Sequence, residues 1–238
     1  MFVDDKVVCV AGATGHLGSV VVARCAREGA SLVLTGRDQN ALEALRANLC
    51  LPESHCMALA AVATDPQAVS ELIREAMARF GRIDVLLNTV GGYGGGASVW
   101  ETPEALWDEM WTLNLRSCIN FNRAVLPHML AQGWGRIVNV AAKAAVEPRK
   151  NSAAYAVSKA GVIALTQSIA AEVKGTGVTA NVILPSVIDS PANRESMPSA
   201  DPSRWVRPAQ VAATMLFLCS EEASAINGAC LPVYGQMR

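Results

Sequence analysis

Tyr155 and Lys159 stand four residues apart in the segment YAVSKAG, a spacing that places both side chains on one face of a helix. An ammonium held beside a phenol favours the phenolate, so such a tyrosine is expected to release its proton below the ordinary pKa of about 10. The pair has the makings of a general acid for a group undergoing reduction. A second constellation lies near the N-terminus, where the apolar run KVVCVAG leads into Gly12-Ala13-Thr14-Gly15-His16-Leu17-Gly18 and then the helical pattern LGSVVVARCAREGA. Glycines at a strand-to-helix turn let the backbone bend tightly and approach a pyrophosphate, which the helix N-terminus can receive. A third is Thr35-Gly36-Arg37 at the end of the next apolar run. A small residue followed by a cation suits a ribose 2′-phosphate, whereas an acid there would suit an unphosphorylated ribose. NADPH is therefore expected in preference to NADH, with NADH possible.

These groups need a scaffold. The 238 residues suffice for one large α/β domain, and 51% are hydrophobic against 17% charged. Apolar runs alternate with helical patterns along the whole chain, the signature of a parallel sheet covered on both faces. Seven runs read as strands: KVVCVAG, ASLVLTG, HCMALAAVA, DVLLNTVG, GRIVNVAA, GVTANVILP and ACLPVYG. The clearest helix is DPQAVSELIREAMARFG, with Asp65 as cap, Pro66 in the first turn and Gly81 at the end. Its Val69, Leu72, Ile73, Ala76, Met77 and Phe80 form one stripe. The expected architecture is a single-domain Rossmann fold over 1–238, a doubly wound parallel sheet of about seven strands. Two irregular stretches, the glycine run 91–96 and the segment 185–208, follow strand ends, where ligands bind in such sheets.

Composition narrows the partners. A net charge of -1 argues against nucleic acid and against a polybasic membrane contact. Seven cysteines without metal-ligand spacing suit reduced, buried thiols of a cytoplasmic protein, and no metal is expected. The N-terminal segment lacks the pattern of a secretory signal, and no apolar stretch approaches the length of a membrane span. His16, His55 and His128 are read from the residues alone as structural or solvated.

The segments AGATGHLG, DVLLNTVGG, MWTLNLRS, RIVNVAA, YAVSKAG and NVILPSVIDSP together resemble the short-chain dehydrogenase/reductase family along nearly the whole chain. The resemblance implies that Gly12, Thr14, Gly15, His16, Leu17 and Gly18 hold the cofactor pyrophosphate, and that Asn88 and Gly91 lie beside the cofactor. It implies that Asn114 bends its helix and holds a water in a proton relay, and that Lys159 also holds the nicotinamide ribose. Pro185, Ile188 and Ser190 fall in the segment that meets the nicotinamide, with Ser186 in place of the usual glycine. Val62 stands where an acid or amide often meets adenine. Such enzymes act on small molecules and commonly assemble as homodimers or homotetramers through small-residue helices such as SAAYAVSKAGVIALTQSIAAEVK.

One departure matters most. The family serine that donates to the substrate oxygen lies thirteen residues before the tyrosine, and here that residue is Ala142. Three readings follow. The chain is a non-catalytic nucleotide-binding or sensing descendant, or Ser152 or Lys143 supplies the donor, or the substrate needs no second donor. The third is supported by Ala141-Ala142-Lys143-Ala144-Ala145-Val146, Gly91-Gly92-Tyr93-Gly94-Gly95 and the segment from Ser190 to Asp201, which resemble loops of the dihydropteridine reductases, a branch of the same family. That resemblance implies a quinonoid pterin-like substrate on which Tyr93, Trp100 or Trp205 could stack. Trp107 and Trp111, four apart on a helix, are expected in the core or an interface.

Overall fold

A computed structural model describes residues 1–237. Seven strands form one sheet: β1 (Val7–Ala11), β2 (Ser31–Gly36), β3 (Cys56–Ala60), β4 (Val85–Asn88), β5 (Gly135–Val140), β6 (Val178–Pro185) and β7 (Cys230–Val233). All pairings are parallel, in the order β3-β2-β1-β4-β5-β6-β7. All seven expected runs are therefore strands, and the chain direction across the sheet reverses between β1 and β4. That reversal opens a crevice at the carboxyl ends of the strands, where open α/β sheets receive ligands.

Both faces of the sheet are buried because its side chains alternate between two cores. Val8 and Val10 of β1 join Leu32, Leu34 and Leu87 under helices α1 (His16–Arg27) and α8 (Pro208–Phe217), which supply Val21, Val22, Val211 and Met215. Cys9, Val33, Leu86 and Ile137 face the other side. They pack on Val69, Leu72 and Ile73 of α3 (Pro66–Phe80) and on Phe121 and Val125 of α5 (Ser117–Gln132). Helix α2 (Gln39–Ala47) is capped by Asp38, and α3 by Asp65, whose carboxylate accepts from the N–H groups of Gln67 and Ala68. Gly81 ends α3 at φ 71°, a left-handed cap that a side chain would strain. Five of the seven cysteines are buried. No helix of the described residues is long and apolar enough to cross a membrane.

Three further segments shape the crevice. Helix α4 (Glu104–Met110) runs into a π turn over Trp111–Arg116 before α5 begins. Helix α6 (Ala153–Glu172) packs on β6 and on the π turn. The segment 185–208, expected to be irregular, contains the short helix α7 (Pro191–Ser196) and a 3₁₀ turn at Pro202–Arg204. It is tied back by a bridge between Ile188 and Val206.

Candidate active site

The loop after β1 is shaped for an anion. Gly12 turns the chain at φ 79°, and a Cβ on Gly18 would collide with the Gly12 carbonyl. The first turn of α1 therefore packs directly on the loop, as a strand-to-helix pyrophosphate cradle requires. Gly15, in the N-cap position, provides no side-chain acceptor, and no acid lies in the first turn. The leading N–H groups of α1 are left for an outside acceptor, and a dinucleotide phosphate fits them. Thr14 and Gly15 are exposed on this loop and Leu17 half-buried.

His16, the first residue of α1, is not simply solvated. Its Nε2 donates to the Asp189 carbonyl at 2.9 Å. Asp189 in turn accepts two hydrogen bonds from Arg194, at 2.6 and 2.8 Å. The phosphate loop and the segment after β6 are thus joined across the mouth of the crevice. In that segment Pro185 closes β6, and Ser190 caps α7 by accepting from the Asn193 N–H at 3.2 Å.

Arg37 follows β2, exposed, without a hydrogen bond or ion pair among the described residues. A Cβ on Gly36 would lie 3.1 Å from the Thr14 hydroxyl, so the end of β2 abuts the phosphate loop. Asp38 is occupied in capping α2, and Arg37 is left uncommitted.

Buried polar side chains gather where α6, the π turn and the loop after β4 meet. Lys159 is only 4% exposed and donates to the Val140 carbonyl at 2.9 Å. Asn114 sits inside the π turn, the kind of helix irregularity that recurs at functional sites. A Cβ on Gly91 would lie 2.8 Å from both Asn114 Oδ1 and Lys159 Nζ. Only a residue without a side chain lets the amide and the ammonium converge there. Asn88, at the end of β4, is buried and donates weakly to Asn139 at 3.4 Å. Asn139 also exchanges hydrogen bonds with Asn122 and donates to Thr166, an amide network behind the site that the sequence reading missed. Its signal was polar residues placed within otherwise apolar strand and helix patterns.

Asn114 pins the glycine loop: its Oδ1 accepts from the Gly92 N–H at 2.9 Å, and its Nδ2 donates to the Gly92 carbonyl and the Ser158 hydroxyl, both at 3.1 Å. One expectation is modified: the Tyr155 phenol is not lowered. Burial, with a smaller contribution from Tyr93, pushes it up to about 12. Burial also pulls Lys159 down to about 8. Desolvation penalises the charged form of each.

The position of the missing serine is Ala142, which is buried just past β5. Both proposed substitutes are engaged. Ser152 is buried and donates to the Arg149 carbonyl at 2.8 Å, without capping α6. Lys143 donates to the Met237 carbonyl at 3.1 Å, pairs with Glu147 at 3.1 Å and lies over the Tyr234 ring. Among the aromatic candidates, Trp205 is buried, while Trp100 and Tyr93 are exposed by 86% and 69%. The Tyr93 ring meets the Tyr155 ring edge-on, centroids 5.1 Å apart. Of the helical pair, Trp107 is half-buried and Trp111 is about half exposed.

A doubly wound sheet, a glycine phosphate cradle at its switch point and a tyrosine-lysine helix beside it define a nicotinamide-nucleotide oxidoreductase of the Rossmann type. Residues 6–201 match the family described as short chain dehydrogenase, and the chain belongs to that family. It is similar to the 2-dehydro-3-deoxy-L-rhamnonate dehydrogenase (NAD(+)) of Sphingomonas sp. (strain SKA58), 35% identical over 90% of this chain and 88% of that one. It is 33% identical to the meso-2,3-butanediol dehydrogenase of Serratia marcescens over 98% and 94% of the two chains. The crystal structure of levodione reductase superposes with a TM-score of 0.91 at 30% identity, covering 98% of this chain and 97% of that one. The protein is an NAD(P)-dependent oxidoreductase acting on a small molecule.

Proposed function

We propose that this protein reduces a small ketone, imine or quinonoid pterin-like substrate at the expense of NADPH, with Tyr155 as the proton donor. The observation that carries the reading is the convergence of Asn114 and Lys159 on Gly91, with Tyr155 one turn away on α6. Bound nicotinamide would supply the hydride. The protein's own part is to hold the substrate oxygen or nitrogen near Tyr155 and to protonate it as negative charge arrives. A phenol held near 12 is protonated at neutral pH, which is the form that reduction needs. The Lys159 ammonium, one turn along the same helix, stabilises the phenolate left behind. Gly12, Thr14, Gly15, His16, Leu17 and Gly18 would hold the pyrophosphate. Asn88, Gly91, Pro185, Ile188 and Ser190 would line the nicotinamide side, with Lys159 on its ribose.

NADPH is preferred in this reading because Arg37 is uncommitted and Gly36 leaves room beside Thr14. A relative whose name specifies NAD(+) makes this preference a point for direct test. The relatives' names point to ketone and secondary-alcohol chemistry. Ala142 and the exposed aromatics Tyr93 and Trp100 keep a flat pterin-like ring as the second reading. Exposed Trp111 and Val157, on the faces of the π turn and α6, fit a homodimer or homotetramer.

The test is turnover of NADPH, and separately NADH, with 2,3-butanedione and with quinonoid dihydropterin. Tyr155→Phe is expected to lose turnover of either substrate while binding NADPH as the parent does. A Tyr155→Phe enzyme with full activity would remove the tyrosine from the role of acid. The better substrate decides between the two substrate classes.

A further inference from the structure

We propose that the Tyr93 hydroxyl is the second hydrogen-bond donor to the substrate, taking the place of the serine absent at Ala142. This deepens the reductase reading and rests on Tyr155 being the proton donor. A reductase of this kind gains from two donors on the oxygen that becomes negative, because each is worth most where charge develops. At the family position Ala142 offers no hydroxyl. Ser152 donates its one hydroxyl proton to the Arg149 carbonyl, and Lys143 is drawn to the Met237 carbonyl and Glu147. Ser158 donates to the Tyr155 carbonyl at 2.8 Å, and Thr89 donates to the Ala11 carbonyl at 2.7 Å. The Tyr93 ring lies against the Tyr155 ring, and its hydroxyl makes no hydrogen bond among the described residues.

Its position is built. The ring rests edge-on against Tyr155, at 5.1 Å between centroids. Asn114 clamps the preceding residue through both the N–H and the carbonyl of Gly92. On the other side, a Cβ on Gly95 would lie 2.7 Å from the Tyr93 hydroxyl and 2.5 Å from the Asn151 carbonyl. The glycine run therefore serves a purpose beyond flexibility: it makes room for a phenol beside the first turn of α6. The Tyr93 ring is 69% exposed and lies against Tyr155, open to a substrate held there. The two phenols also feel each other electrostatically, since Tyr93 contributes to the raised Tyr155 value. In the reaction Tyr155 transfers its proton, and Tyr93 keeps its own while donating a hydrogen bond.

The test uses full-length protein, NADPH and the probes 2,3-butanedione and quinonoid dihydropterin. Tyr93→Phe keeps the ring and removes the hydroxyl. It is expected to lower kcat by about tenfold to a hundredfold, with NADPH affinity unchanged. Adding Ala142→Ser to that variant is expected to restore most of the lost rate on 2,3-butanedione, which a role in packing or stacking would not allow. A Tyr93→Phe kcat within about twofold of the parent would overturn the proposal, as would a slow variant that Ala142→Ser fails to rescue. If Tyr155→Phe loses turnover and Tyr93→Phe does not, the reductase reading stands and this inference falls. If the parent protein reduces neither probe, the site reading falls and takes this inference with it.

Discussion

Lys159→Met should make the protein more stable while ending its catalysis. Lys159 is buried, and its ammonium is held at about 8 instead of 10.5, with desolvation as the main cause and the neighbouring Cys118 acting in the opposite direction. Keeping that charge inside the fold costs about 3 kcal/mol at neutral pH. Methionine occupies similar space without the charge. It also gives up the 2.9 Å hydrogen bond to the Val140 carbonyl, a loss of about 1 kcal/mol. The net gain is about 2 kcal/mol, or a rise in Tm of about 4–8 °C for a chain of this size. The sign depends on pH. Between about 8 and 10.5 the unfolded lysine holds a proton that the folded one has released, so the parent gains stability as pH rises through that window. The advantage of the variant is therefore full at pH 7 and nearly gone by about pH 9.5. Reversible chemical unfolding of both proteins at the two pH values measures it. A variant less stable than the parent at pH 7, or one whose advantage is the same at both pH values, would refute the account. Lys159 would then be held by compensating contacts rather than against its solvation.

Two other substitutions test separate parts of the site. Gly18→Ala places a Cβ against the Gly12 carbonyl, so NADPH affinity should fall by at least about tenfold in a fluorescence titration. Unchanged affinity would mean that α1 does not pack on the phosphate loop as described. Arg37→Ala should raise the KM for NADPH by about tenfold or more and leave that for NADH nearly unchanged, because only the former carries a 2′-phosphate. Equal effects on both cofactors would remove Arg37 from the phosphate site.

Much of the fold was legible because two periodicities run through the chain. β1 reads as a continuous apolar run and is buried on both faces, as a central parallel strand must be. The stripe on α3, with its Asp65 cap and Gly81 stop, needs only local sequence to be seen. The glycine loop, Arg37 and the Tyr155-Lys159 pair were likewise visible, since their chemistry depends on residue type and short spacing. In 185–208 the local signals were turn-formers, and the short helix α7 forms there around a Ser190 cap and Pro191 that were read only as loop.

Other features required distant segments to meet. Nothing near Gly91 in the sequence reveals that Asn114 and Lys159 close on it, because those contacts span three separate elements. The engagement of Lys143 by Met237 joins residues 94 apart, and His16 reaches Asp189 across 173. The same is true of the proton affinities. From spacing alone a lysine beside a tyrosine lowers the phenol, yet the phenol is raised to about 12 and the lysine lowered to about 8. Burial decides those values, and burial depends on which elements cover a side chain. Sequence by itself determined the residue types, the strand and helix periods and the family; the tertiary structure decided which donors remain free, because a hydrogen bond already made to a distant carbonyl leaves no mark on the local pattern.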